Sequence, residues 1–114
     1  QEEHRARHPW EGIIADYLAQ EVPADWMKMD TAQREAFRCG GLHYEGALEP
    51  RRRICAAEIW CEALNRRKGD MNKRDNREIN NLLEKMDGWV SVGVAKAGKP
   101  YGPQRCFERK VVTF

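Results

Sequence analysis

The stretch that decides the fold of this 114-residue chain is residues 54–89, ICAAEIWCEALNRRKGDMNKRDNREINNLLEKMDGW. It contains two amphipathic patterns with apolar side chains at helical spacing, joined by a short polar turn. The first pattern predicts a helix over Ala56–Asn65. The second predicts a helix over Lys73–Met86, capped by Asn72 and ended by the pair Asp87-Gly88.

A strand pattern follows this helix pair. Residues 89–94 alternate apolar and polar side chains, which predicts a β-strand. Residues 96–103, KAGKPYGP, are rich in Gly and Pro and predict a hairpin loop, with a returning strand over 105–112. A very short strand is expected at Ile54. The order strand, helix, helix, strand, strand predicts a mostly helical α+β fold of the winged helix-turn-helix type.

Two further helices are predicted before this core. Trp10, Ile13, Ile14, Tyr17 and Leu18 recur at one helical period, which predicts a helix over Pro9–Gln20. A second helix begins at the capping residue Asp30 and ends at Gly40-Gly41. Residues 1–8 are polar and predict a lead-in or linker. The remainder is expected to be a single domain, with 9–50 as a helical extension and 51–114 as the winged-helix core.

The charge is distributed unevenly along the chain. Residues 1–50 carry five Lys/Arg and ten Asp/Glu, whereas residues 51–114 carry fifteen Lys/Arg and eight Asp/Glu. A basic half behind an acidic half indicates a polyanionic partner on one face. No apolar run is long enough for a transmembrane helix, the start lacks the apolar region of a signal peptide, and no membrane partner is expected. The absence of an initiator Met suggests one domain of a longer protein.

The four cysteines are expected to be reduced and mostly structural in a cytosolic protein. They have no C-x-x-C spacing, and Cys55 and Cys61 fall on different sides of one predicted helix. Cys39 and His43 could form half of a zinc site, but no second half follows. No metal and no cofactor are therefore predicted. The alternative is a regulatory domain of an enzyme with a metal at Cys39 and His43.

The candidate binding residues are cations and amides on the second helix of the pair and at its flanks. Arg and Asn side chains make the common contacts to base edges, and Lys and Arg neutralise phosphates. The candidates for contact with duplex DNA are Lys73, Arg74, Arg77 and Asn80 on the helix, Arg66 and Arg67 in the turn, and Lys96, Lys99 and Arg105 on the hairpin. The alternative is a solvated surface helix, since Asp75, Glu78 and Glu84 interleave with these cations. Arg51–Arg53 could bracket a phosphate or be simply solvated.

No motif indicates catalysis. The chain lacks a G-x-x-x-x-G-K-[ST] phosphate-binding loop, a G-x-S-x-G elbow and an H-E-x-x-H zinc motif. The chain is therefore not expected to be an enzyme by itself.

Several segments together resemble a known family. These are HPWEGIIADYL, VPADWMKMDTAQREAF, RRRICAAEIWCEAL, NREINNLLEKMDGW and KPYGPQRCFERK. They resemble the C-terminal region of virulence-associated protein E (VapE-like) proteins of phages, prophages and mobile islands. The resemblance implies a role in phage DNA replication, as a module that binds DNA or a partner beside an upstream P-loop ATPase absent from this chain. The rival hypothesis is a docking or oligomerisation domain of the same protein.

Overall fold

The fold is described by a computed structural model for residues 8–41 and 44–110. The described residues form an α+β domain with four helices and two small antiparallel sheets. The helices are α1 (Glu11–Ala19), α2 (Thr31–Arg38), α3 (Ala56–Glu58), continued by a π-helical turn (Ile59–Ala63), and α4 (Lys73–Glu84). The strands are β1 (Glu21–Pro23), β2 (Leu48–Pro50), β3 (Arg53–Cys55), β4 (Trp89–Lys96) and β5 (Pro103–Arg109). Short 3₁₀ turns lie at Trp26–Lys28 and Lys68–Asp70.

The larger sheet has three strands in the order β3-β5-β4. Both pairings are antiparallel, and Ile54 of β3 lies opposite Phe107 of β5. The β4–β5 hairpin contains a bulge between Ser91 and Gly93, and Gly93 has a φ of 79° that suits a residue without a side chain. The predicted strand at Ile54 and the predicted hairpin are therefore confirmed.

The smaller sheet pairs β1 with β2 and was not expected from the sequence. Val22 lies opposite Glu49, and each strand is only three residues long. Such short strands show too few alternations for a period of two to be recognised. This ribbon connects the segment after α1 with the segment that leads into β3.

The main hydrophobic core joins the N-terminal helix to the later elements. α1 contacts the π-helical turn, and α4 contacts both α3 and β4. The buried side chains of this core are Ile14, Tyr17, Leu18, Ile54, Ala56, Ile59, Trp60, Ile79, Leu83, Trp89 and Phe107. The apolar stripes predicted for α1 and α4 thus face a shared core, with Ile13 of α1 as the exception because it is 45% exposed.

The third helix departs from the expected regular helix. It widens after Glu58, and the Leu64 amide bonds to the Ile59 carbonyl at 2.9 Å, a spacing of five residues. The chain then turns at Asn65, whose φ is 56°. π-Helical turns are rare and are enriched at functional sites. Here the wide turn carries Glu62, which with Glu58 is one of the two buried carboxylates among the described residues.

The predicted caps of α2 and α4 are both present as capping boxes. Asn72 Oδ1 accepts the Asp75 amide at 2.8 Å, and Asp75 Oδ2 accepts the Asn72 amide at 3.2 Å. Asp30 and Gln33 make the same reciprocal pair at the start of α2. These bonds satisfy amides that a helix start otherwise leaves unpaired.

We expect Asn72→Ala to lower the free energy of unfolding by about 1 kcal/mol, because it removes the acceptor at the start of α4. Urea unfolding followed by circular dichroism measures this loss. Asn76→Ala is the matched control, since Asn76 is exposed inside the same helix. Equal losses in the two variants would contradict a capping role for Asn72.

No helix among the described residues has both the length and the apolar character needed to cross a membrane.

Candidate nucleic-acid interface

The outward face of α4 carries three exposed cations in its first two turns. Lys73, Arg74 and Arg77 are all exposed, and Lys73 and Arg77 lie one helical turn apart on the same side. Ile79 and Leu83 are buried on the opposite side. These cations therefore face solvent at the N-terminal end of α4, next to the loop that precedes this helix.

The acids of α4 lie beside this face or at its far end. Asp75 is engaged in the capping box, and Glu78 is 3.4 Å from His8 Nε2. Arg74 Nε is 3.9 Å from Glu78, but the Arg74 side chain is 83% exposed, so this pair is weak. Glu84 binds Arg105 at 2.9 Å. The acids thus leave Lys73 and Arg77 without an ion pair in the described part of the chain.

The loop before α4 adds three further exposed cations, Arg66, Arg67 and Lys68. The Arg66 guanidinium lies 5.1 Å from the Trp60 ring centre and 5.5 Å from that of Trp10. The Arg67 carbonyl accepts the indole N–H of Trp60 at 2.5 Å. These contacts anchor the loop to the core while its cationic groups face solvent.

Asn80 lies three residues after Arg77 on α4, but it is less exposed than the cations. Its side chain is half-buried, and Oδ1 is shielded with no hydrogen-bond partner among the described residues. The neighbouring Asn81 is exposed and lies four residues beyond Arg77. Asn81 therefore shares the outward face with Arg77, although only Asn80 was selected from the sequence.

The hairpin loop is packed against the N-terminal half of the protein. The Lys99 amide donates to the Met27 carbonyl at 2.8 Å, and Ala97 and Tyr101 are buried. The Tyr101 side chain therefore packs in the interior and is not presented at the tip of the loop. Lys96 and Lys99 remain exposed, whereas Arg105 is paired with Glu84.

The arginine triplet before α3 is divided among three environments. Arg51 is 1% exposed and binds Glu58 Oε2 at 2.9 Å. The Arg52 side chain is 82% exposed, and Arg53 is paired with Glu108. The interpretation of the triplet as one solvated run is wrong for Arg51, because this side chain is part of the interior.

A buried ionic network occupies the junction between the N-terminal half and the core. Glu58 is completely buried and Glu62 is 3% exposed, and Arg34 and Arg51 are buried beside them. Arg34 Nη1 donates to Glu62 at 3.0 Å and lies 3.5 Å from Glu58. Buried charges of this kind are stable only when they are paired and hydrogen-bonded.

Aromatic side chains complete the network. The Tyr17 hydroxyl donates to Glu58 at 2.7 Å, and the Trp26 indole N–H donates to the same oxygen at 3.1 Å. The Tyr101 hydroxyl hydrogen-bonds Glu62. Arg51 lies 3.9 Å from the Tyr17 ring centre, and Arg34 lies 4.5 Å from that of Trp26. The network thus connects α1, α2, α3, the π-helical turn and the hairpin loop.

The environment of the network shifts several pKa values. Burial raises the pKa of Glu58 above its ordinary value, and the charges of Arg34 and Arg51 oppose that rise. Burial alone would lower the pKa of Arg34, but Glu58 and Glu62 outweigh it and the pKa is raised. The guanidinium of Arg34 therefore stays charged in the interior.

We expect the protein to lose stability as the pH rises above about 10. Burial, followed by nearby carboxylates, raises the pKa of Tyr17 and of Tyr101 above the ordinary value for tyrosine. Above pH 10 the unfolded chain therefore binds fewer protons than the folded chain, and the free energy of unfolding falls by up to about 1.4 kcal/mol per pH unit for each tyrosine. Phenolate absorbance of these two tyrosines should appear only together with unfolding. Ionisation of both while the fold persists would contradict this expectation.

The described residues contain no group of three or more His, Cys, Asp or Glu side chains placed to hold a metal ion. The half-site suggested by Cys39 and His43 falls partly outside the described residues, because His43 does. Cys55 and Cys106 are buried, and burial raises the pKa of Cys55 to about 12. These two thiols pack as apolar groups, as expected from the sequence.

The network was not identified from the sequence, although one signal was present. Glu58 and Glu62 are four residues apart and stand within an otherwise apolar segment, AAEIWCEAL. Two acids on one face of an apolar helix indicate buried carboxylates that need cationic partners.

Comparisons with protein-family models and with curated proteins found no match to this chain.

Proposed function

We propose that this domain binds duplex DNA through α4 and the loop before it, as a winged helix-turn-helix. The observation that carries the proposal is the exposure of Lys73, Arg74 and Arg77 together on the outward face of α4. In helix-turn-helix proteins the N-terminal part of the second helix enters the major groove. The exposed cations of α4 lie in the corresponding part of the helix.

The order of the elements supports a winged helix. β3 precedes α3 and α4, and the β4–β5 hairpin follows them, with β5 between β3 and β4 in the sheet. α1 packs on the same core. In the proposed winged helix it would be the first helix. The hairpin loop would take the place of the wing, with Lys96 and Lys99 as its exposed cations.

The local charge supports a polyanionic partner. Residues 66–77 contain six Lys/Arg and two Asp/Glu, and all six cationic side chains are exposed. Neutralising backbone phosphates with such side chains supplies most of the non-specific affinity for DNA. Arg66 and Arg67 would position the loop on the backbone. Lys73, Arg74 and Arg77, with Asn80 or its neighbour Asn81, would face the groove.

The wider context rests on the resemblance to VapE-like proteins. On that basis the domain is the non-catalytic C-terminal module of a cytoplasmic phage or prophage replication protein. An upstream P-loop ATPase, of helicase or primase-helicase type, would supply the catalysis. The basic surface of α4 would then hold DNA while the ATPase acts on it.

A salt titration tests the proposal. Binding of the protein to a fluorescently labelled duplex is measured by anisotropy at several salt concentrations. We expect affinity to fall steeply as salt rises, with a log–log slope of about −0.9 for each phosphate neutralised. No binding at low salt, or affinity that is indifferent to salt, would contradict the proposal.

The rival function, a docking or oligomerisation domain, is favoured by one observation. β4 is an edge strand of the described sheet, and Val90, Val92 and Val94 on it are 45%, 42% and 76% exposed. Exposed apolar edge strands commonly pair with another chain. Light scattering measures the oligomeric state, and Val94→Lys should abolish oligomerisation through β4. The same variant should leave DNA binding through α4, measured by anisotropy, unchanged.

A further inference from the structure

A cleft on the protein is lined by more cations than acids. It has a volume of about 760 Å³ and lies between the β1–β2 ribbon, the 3₁₀ turn at Trp26–Lys28, β3 and the end of β5. The residues that line it include Arg51, Arg52, Arg53, Arg109 and Lys110. Glu49 and Glu108 are its acids. Ligand pockets commonly have volumes of about 300–1,000 Å³, so the cleft can hold a small molecule or a short segment of a polymer.

Arg51 is the buried cation of this cleft. Its side chain binds Glu58 through Nη1, whereas Nε and Nη2 are shielded from solvent and have no hydrogen-bond partner in the described part of the chain. Nε and Nη2 form one edge of the guanidinium, the fork that binds two oxygens of a carboxylate or phosphate side by side. An unpaired donor pair of this kind is costly in the interior and favours an anionic acceptor.

Two other cations of the cleft, Arg109 and Lys110, have no carboxylate partner among the described residues. Arg109 donates Nε to the Arg51 carbonyl at 2.8 Å and Nη2 to the Leu18 carbonyl at 2.9 Å. Its charge is therefore held in place without an ion pair among the described residues. Lys110 is exposed, and Arg52 lies 3.6 Å from Glu49 in an exposed and therefore weak pair. Arg53, in contrast, is tightly paired to Glu108.

We propose that this cleft binds the phosphate group of a nucleotide or of a nucleic-acid strand, at a site separate from the surface of α4. The excess of cations over acids suits an anion that carries more than one charge or repeats its charges along a chain. Arg51 lines the cleft, and its positive charge adds to the field that attracts such an anion. Arg52 and Lys110, at the solvent side of the cleft, supply the outer cationic contacts.

Titration of the ¹⁵N-labelled protein with inorganic phosphate, a nucleoside monophosphate and a short single-stranded oligothymidylate tests the proposal. We expect amide shifts at Met27, Arg52 and Lys110. Shifts with the mononucleotide identify a free nucleotide as the ligand, and affinity that grows with oligonucleotide length identifies a strand. Amide shifts confined to α4 would overturn the proposal. So would an affinity for acetate, titrated as a control anion, that equals the affinity for phosphate.

Two variants assign the effect to the cleft. Arg52→Ala/Lys110→Ala changes only exposed side chains and should weaken binding of the phosphate probes about tenfold. The control Lys73→Ala/Arg77→Ala lies on α4 and should leave the cleft titration unchanged. Unaltered affinity in Arg52→Ala/Lys110→Ala would overturn the proposal, whatever the result for duplex DNA.

Discussion

Replacing Arg34 by methionine is expected to lower the free energy of unfolding by about 3–5 kcal/mol, enough to unfold a marginally stable domain. Arg34 is completely buried and donates to Glu62 at 3.0 Å and to the Trp26 carbonyl at 2.8 Å. Methionine fills much of the same volume but leaves these acceptors without their cation. Chemical denaturation followed by tryptophan fluorescence measures the loss.

Arg52→Met is the matched control for Arg34→Met. It makes the same chemical change at a side chain that is 82% exposed, and it should alter the free energy of unfolding by less than about 0.5 kcal/mol. Arg34→Met/Glu62→Gln should recover part of the loss, because it removes the buried negative charge that the single change leaves unpaired. A loss below about 1 kcal/mol in Arg34→Met would show that the network contributes little.

The network explains why the N-terminal half and the hairpin loop form one body with the core. Glu58 and Glu62 receive bonds from α1, α2, the 3₁₀ turn and the hairpin loop, and Lys99 bonds to Met27 beside them. Loss of a central carboxylate would therefore release several segments together. Gly98 illustrates how closely they pack, since a side chain at this residue would approach Arg34 Nη2 to 2.7 Å.

Local features of this fold could be predicted from the sequence because their signals are local. Asn72 with Asp75 and Asp30 with Gln33 are capping residues at a fixed spacing, and the stripe of Ile79 and Leu83 shows helical period. The apolar alternation of β4 likewise marks a strand. Each of these signals depends on neighbours within one or two turns of the chain.

The network could not be predicted in the same way because its members are distant in sequence. Glu58 meets Arg51, but it also meets Trp26 and Tyr17, which lie 32 and 41 residues away. An arginine such as Arg34 shows no local mark of burial, because its charge predicts exposure. The three-residue strands β1 and β2 were missed for the related reason that pairing across the chain, and not propensity, defines them.

The arrangement of charge on α4 also depends on geometry that the sequence does not display. In the sequence, Asp75, Glu78 and Glu84 lie among the cations of this helix, which suggested a weakened positive electrostatic field. In the folded protein Asp75 closes the capping box, Glu78 lies beside His8, and Glu84 pairs with Arg105 at the far end. The first two turns therefore expose cations with little local compensation, which strengthens the case for contact with DNA.

Arg74→Glu/Arg77→Glu is expected to weaken binding to duplex DNA about 100-fold at moderate salt and to reduce the magnitude of the salt slope by about 2. Both side chains are exposed, and neither contributes to the core. The change replaces two phosphate-attracting charges by two that repel phosphate. Anisotropy titrations of the variant and the original protein on the same duplex measure both quantities.

Lys28→Glu/Lys85→Glu is the control that separates a specific surface from overall charge. It produces the same change in net charge at two exposed residues outside the first turns of α4. Long-range repulsion alone would weaken binding equally in the two double variants, whereas a binding surface on α4 would make the loss much larger for Arg74→Glu/Arg77→Glu. Equal losses would therefore contradict the assignment to α4, and circular dichroism of both variants ensures that the comparison is made between folded proteins.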